Sequence, residues 1–207
     1  MKKIAIIAFL LAAFVAAGRA QESRQDISIS GTALIEPFRA GSNDVEVSES
    51  PAYGALASYR FMLTPSSALE ANYGITYQNT FHYQWAAVQN NDVLTRTQEI
   101  SAAYVRTFNF RKFNPFIEGG PGAYIFLPIL NSGTTILSTK QQTTIGGLYG
   151  AGIAYEISPS FDIRAEYRGF VTKVPDFGET STTSGANFSV NRWFNIYNPV
   201  IGVAYHF

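Results

Sequence analysis

Two histidines, no cysteine and a series of alternating charges are the residues of this 207-residue chain with the most obvious chemical potential. Acyl transfer would need a nucleophile, a base within hydrogen-bond reach and a group that orients the base. His82 stands in Thr80-Phe81-His82-Tyr83-Gln84-Trp85 with no acid close by in sequence, and no His-x-Ser pair occurs, so no catalytic residue is assigned. His206, next to the last residue, reads as a space-filling side chain. Two separated histidines without cysteine supply no metal site at ligand spacing, and no cofactor is expected. The acids Asp44, Glu46 and Glu49 are solvated charges or, at most, ligands for calcium or for cations that bridge surface lipid. The largest titratable set is Glu36, Arg60, Glu70, Glu99, Glu118, Glu156, Asp162, Arg164, Glu166 and Arg168. Opposite charges in such a set either pair with one another or line a path for ions.

What positions these residues is a period of two. From Phe161 to Gly169 the odd positions are apolar or small and the even positions are charged, which a helix would scatter around its circumference. Leu69 to Gln78 alternates in the same way, with Leu69, Ala71, Tyr73, Ile75 and Tyr77 on one face. Weaker copies run over Ile27 to Glu36, Ala52 to Met62, Thr95 to Phe108, Pro115 to Leu127, Thr143 to Ile157 and Asn195 to Phe207. Eight strands result, each near the roughly 9 to 11 residues that a tilted membrane strand requires. Short connections rich in Pro, Ser and Asn, at Leu63 to Ser67, Asn109 to Asn114 and Ser158 to Ser160, alternate with long ones. The long ones are Pro37 to Ser50, Thr80 to Leu94, Pro128 to Gln142 and Thr172 to Arg192.

The expected fold is all-β, an eight-stranded antiparallel transmembrane β-barrel over residues 21–207. Residues 1–20 read as a secretory signal: Lys2 and Lys3, an apolar run from Ile4 to Ala17, and Gly18-Arg19-Ala20 as a cleavage site after Ala20. That run is shorter than the roughly 18 residues of a spanning helix. Charged residues make up 14% of the chain, well below the about 25% of soluble domains. The formal net charge of +0 argues against nucleic acid as a partner. A soluble barrel would carry the same alternation with its faces reversed. Strands facing lipid must close on themselves, because no water satisfies an open edge there. Tyr59, Phe61, Tyr155, Phe161, Tyr205 and Phe207 are expected at the periplasmic girdle, with Tyr53, Tyr77, Tyr149 and Tyr197 at the opposite one.

Val200 to Phe207 carries apolar side chains at every second position back from a terminal phenylalanine. This ending resembles the signal read by the barrel-assembly machinery. Ile153 to Arg168 resembles the sixth strand, turn and seventh strand of OmpA-type and OmpX-type barrels, and Asn114 to Tyr124 resembles their glycine-rich fifth strand. The resemblance implies an OmpA/OmpX-like outer-membrane barrel without the peptidoglycan-binding domain of full-length OmpA. It also implies assembly through Phe207 and contact with outer-membrane lipid and lipopolysaccharide. A monomer is expected. Arg60, Glu70, Glu99, Glu118, Arg164, Glu166 and Arg168 are expected to form an ion-paired network that fills the lumen. Phe81, Tyr83, Trp85, Phe188 and Trp193, with Phe177 and Phe194, are candidate surface-recognition residues in the external loops. The role expected is non-enzymatic, either support of the envelope or surface contact. A lipid A-modifying enzyme with a site around His82 and a narrow ion pore are the alternatives.

Overall fold

The computed structural model describes residues 24–36, 39–40, 45–85, 89–133, 139–177 and 192–207. Residues 1–20, expected as a signal, and Phe188 lie outside the described residues, as does the side chain of Trp85. The strands are β1 (Gln25–Leu34), β2 (Arg39–Ala40), β3 (Val45–Glu49), β4 (Ala52–Thr64), β5 (Ser67–Trp85), β6 (Gln89–Thr107), β7 (Phe113–Gly133), β8 (Gln142–Ser158), β9 (Phe161–Lys173) and β10 (Trp193–His206). Eight of them, β1 and β4 to β10, pair antiparallel with their neighbours in chain order. The cylinder closes where β10 returns to β1, from Asp26 opposite His206 to Thr32 opposite Val200. Closure removes both sheet edges, which the bilayer demands.

Period two decides which face meets lipid. Asp26, Arg60, Glu70, Glu118, Arg164 and Arg168 are buried inside, while Ile29 at 72% and Ile145 at 75% stand exposed outside. A soluble barrel would reverse these faces, and so wide an apolar surface is not tolerated in water. Tyr59, Phe61, Tyr155 and Phe161 ring the end that carries the short turns, and Tyr53, Tyr77 and Tyr149 lie exposed toward the other. The turns are tight: Pro65-Ser66 joins β4 to β5 and Pro159-Ser160 joins β8 to β9. Between β6 and β7, Phe110 and Phe113 exchange backbone hydrogen bonds at 3.1 and 3.0 Å around Arg111, whose φ is 53°.

The expected loop from Thr80 to Leu94 is corrected. β5 and β6 have 19 residues each and β7 has 21, far beyond spanning length, so they continue outside as one sheet. β3 lies on its edge against β5, and β2 against β3. Three irregularities stand at the base of this extension, one of them on β7, whose register against β6 shifts by one residue between Leu94 and Thr95. Ser50-Pro51 separates β3 from β4, since proline donates no ladder hydrogen bond. Opposite it, Gln78 has φ 61° and the β5–β6 register shifts by one residue between Thr76 and Asn79. A single extra residue exchanges the faces of a strand. On β5 the side chains buried next to the bulge are therefore Asn72 and Thr76 below it, in line with Glu70, and Asn79, Phe81 and Tyr83 above it.

Candidate functional site

The lumen divides into an ionic half and an aromatic half. In the ionic half Arg168, 1% exposed, donates from Nη2 to Glu99 Oε1 at 2.7 Å and from Nε to Glu118 Oε1 at 3.1 Å. Glu166 approaches the same guanidinium at 3.9 Å. Glu99 also accepts from Ser101 Oγ at 2.8 Å and from the Tyr124 hydroxyl at 3.0 Å, and Asn198 donates to that hydroxyl at 2.8 Å. Arg60 pairs with Glu70 through Nε at 2.6 Å and lies 4.9 Å above the Phe116 ring. Arg164 grips Asp26 with both terminal nitrogens, at 3.0 and 2.8 Å. His206 Nε2 lies 2.8 Å from Asp162 Oδ2. A cavity of about 320 Å³ opens among Arg60, Arg164, Asp162 and His206 at the end with the short turns. The seven charged residues anticipated for the lumen are thus brought together, joined by Asp26, Asp162 and His206. Three arginines, Arg60, Arg164 and Arg168, face six carboxyl groups, Asp26, Glu70, Glu99, Glu118, Asp162 and Glu166.

Above this layer the lumen turns apolar. Phe170, Phe126, Phe81, Phe177, Phe194 and Ile196 are buried in one cluster. Phe170 fits only because β7 and β8 present glycine on either side: a Cβ on Gly122 or Gly146 would lie 2.8 or 2.7 Å from its ring. Phe81 meets Phe126 and Phe177 edge to face, with each pair of centroids 5.5 Å apart. Val174 to Phe177, just past β9, folds back over the barrel mouth. Gln142 Oε1 accepts from the backbone N–H of Asp176 and of Phe177, both at 2.7 Å, and Tyr83 donates to Pro175 O at 2.6 Å.

Phe81 and Tyr83, anticipated as loop residues for surface recognition, are corrected to strand residues that seal the mouth. The physical reason is the bulge at Gln78, which turns their face inward. Phe177 and Phe194 are likewise buried, whereas Trp193 is exposed at the start of β10 with Lys173 Nζ 6.0 Å from its ring. Outside the bilayer, beyond the tyrosine girdle, Glu36 and Glu49 bury carboxyl oxygens beside one another. Burial pushes Glu36 up to about 7 and Glu49 well above the usual carboxylate range, with repulsion from Glu36 adding to the latter. His82, which has no acid near it in sequence, has one in space. Its Nδ1 lies 2.8 Å from Asp92 Oδ1, and its Nε2 lies 3.1 Å from Ser50 Oγ.

A closed antiparallel cylinder with an apolar exterior, aromatic girdles and a charged interior defines an integral outer-membrane β-barrel. The chain belongs to the outer membrane protein beta-barrel domain family, whose model matches residues 5–207. This is the level at which the resemblance to OmpA-type barrels holds. OprG from Pseudomonas aeruginosa is similar in fold, with a TM-score of 0.62 at 11% identity over 90% of this chain and 97% of its own. The neisserial surface protein NspA gives 0.52 at 15% identity, over 89% and 98%. At these identities the likeness shows the fold alone. A search of curated proteins by sequence gives no significant match.

Proposed function

We propose that this chain is a closed, non-conducting outer-membrane barrel that supports the envelope and makes its surface contacts through the rigid extension of β3, β5, β6 and β7. The observation that carries this reading is the seal at the mouth. Phe81, Tyr83 and Phe177 fill the top of the lumen, and the same residues brace the extension from within. An extension packed on an aromatic core keeps one shape, which suits recognition at low entropic cost. The ionic layer supports the non-conducting reading, because an ion would have to displace Arg168 from two carboxylates. The exposed apolar wall and the packed extension are the surfaces that support this role. As partners we propose outer-membrane lipid and lipopolysaccharide around a monomer, with assembly through Phe207.

The test is detergent and antibiotic sensitivity of a strain lacking the gene, complemented with the intact chain or with one in which residues 79–94 are replaced by a short turn. Heat-modifiable gel mobility first establishes that the trimmed barrel folds. We expect only the intact chain to restore resistance. Full rescue by the trimmed barrel would overturn the role of the extension, and step-like conductance of the intact protein in planar bilayers would overturn the closed lumen.

A further inference from the structure

We infer that Ser50, His82 and Asp92 form a hydrolytic site for carboxylic esters on the outer face of the extension, an activity that goes beyond the supporting role proposed above. Three adjacent segments supply one residue each. Ser50 ends the β3 segment at the proline break, His82 lies on β5, and Asp92 lies on β6. The register sets Ser48 opposite His82 and His82 opposite Asp92. All three side chains share the outer face, because the inward positions are taken by Val47, Phe81, Tyr83, Asn91 and Val93.

The contacts run in one direction. The Asp92 carboxylate can only accept, so it fixes the imidazole proton on Nδ1 at 2.8 Å and leaves the lone pair on Nε2. Ser50 Oγ, 3.1 Å away, donates its hydrogen to that lone pair. This is the order nucleophile, base and orienting acid by which a serine hydroxyl is activated. A surface ion pair would account for His82 and Asp92 but would not place a hydroxyl on the other nitrogen. The imidazole and the carboxylate are 41% and 38% exposed, open to a substrate from outside.

Position selects the substrate class. His82 stands four ladder positions beyond Tyr77 of the external girdle, the bulge at Gln78 adding no rise. At about 3.3 Å per residue and a tilt near 40°, the imidazole stands roughly 10 Å above that ring. The girdle rings themselves sit at the headgroup level, so the imidazole stands outside it, well beyond the acyl chains. Between the two, Arg96 lies exposed with its guanidinium 5.1 Å from the Tyr77 centroid, a cation placed for an anionic headgroup. The substrate class is therefore an O-acyl ester on the outward-projecting polar part of an anionic outer-leaflet amphiphile.

The reaction closes on water. Ser50 Oγ attacks the carbonyl carbon as its proton passes to His82 Nε2. The ester C–O bond breaks, and the leaving alkoxide takes that proton as the alcohol. Water then gives a proton to His82 and attacks the acyl-Ser50 ester, releasing the carboxylic acid as the proton returns to Ser50. Ser50 and His82 are the catalytic residues, and Asp92 positions the base.

The test uses the full chain folded in detergent micelles, with a fluorophosphonate probe and p-nitrophenyl acetate and butyrate as substrates. We expect the probe to add to Ser50, as read by peptide mass spectrometry, in folded but not in heat-denatured protein. Ser50→Ala and His82→Gln should each lose labelling and more than about 100-fold of the turnover while keeping heat-modifiable mobility. Ser48→Ala should keep both. Asp92→Asn should lower turnover by about 10²-fold to 10⁴-fold and displace the acid limb of the pH–rate profile, and Asp92→Glu should restore that limb. The absence of labelling in folded protein, labelling at Ser48, or turnover that survives Ser50→Ala would overturn the assignment.

Discussion

Arg168→Met would remove the cation at the centre of the ionic layer. The wild-type guanidinium holds Glu99 at 2.7 Å and Glu118 at 3.1 Å and is almost wholly buried. Taking one partner from a buried pair costs about 3 to 5 kcal/mol, because the remaining charge stays desolvated. Glu99 keeps hydrogen bonds from Ser101 and Tyr124, which draws the expected loss to the lower end, about 3 kcal/mol. For a urea slope of about 2 kcal/mol per molar, the midpoint should fall by about 1.5 M. The assay is equilibrium unfolding in lipid vesicles, followed by tryptophan fluorescence and by heat-modifiable mobility. Glu99→Gln with Glu118→Gln in the Arg168→Met background removes the orphaned charges and should recover more than half of the loss. A loss below about 1 kcal/mol, or a triple variant no more stable than the single one, would refute the view that Arg168 neutralises this layer.

Phe81→Ala and Phe177→Ala should each cost about 3 to 5 kcal/mol locally, seen as faster protease cleavage in the extension with the barrel itself intact. Gly146→Ala should fold poorly or not at all, since the added Cβ would lie 2.0 Å from Val171 O, and the yield of heat-modifiable protein measures this. The extension should loosen as pH rises. Folding raises Glu36 from 4.5 to about 7 by burial, so its contribution is full below 4.5 and is lost as pH rises through about 7. The shift corresponds to a loss on the order of 3 kcal/mol. Hydrogen exchange at Val47 and Val93 should quicken as pH rises from 5 to 8; Glu36→Gln should weaken that dependence, Glu49 supplying the remainder, and Glu36→Gln with Glu49→Gln should flatten it.

Alternation carried most of the barrel from the sequence. Phe161 to Gly169 keeps period two along its whole length, and each charge there points inward as the pattern requires. The same rule failed on β5, because Gln78 carries no sign of the extra residue that turns Phe81 and Tyr83 inward. Polar residues at 89 to 92 suggested a loop, whereas cross-strand pairing extends β6 through them. Asp26 escaped notice because it lies one residue before the first clear alternation, yet it is the partner that Arg164 holds with two hydrogen bonds. The contacts of His82 were illegible for a different reason. Ser50 and Asp92 are 32 and 10 residues away along the chain, and only the register of three strands brings them together.

The seal at the mouth also has a consequence in time. Val174 to Phe177 follows β9, and the hydrogen bond from Tyr83 to Pro175 O spans 92 residues of chain. Contacts so distant in sequence form late, after the intervening hairpins have paired. Until β9 is in place the aromatic half of the lumen lacks Phe170 and Phe177, and the growing barrel is open at its outer end. An apolar dye that enters nascent barrels but is shut out of finished ones would therefore mark the docking of β9 and β10 and the closure against β1.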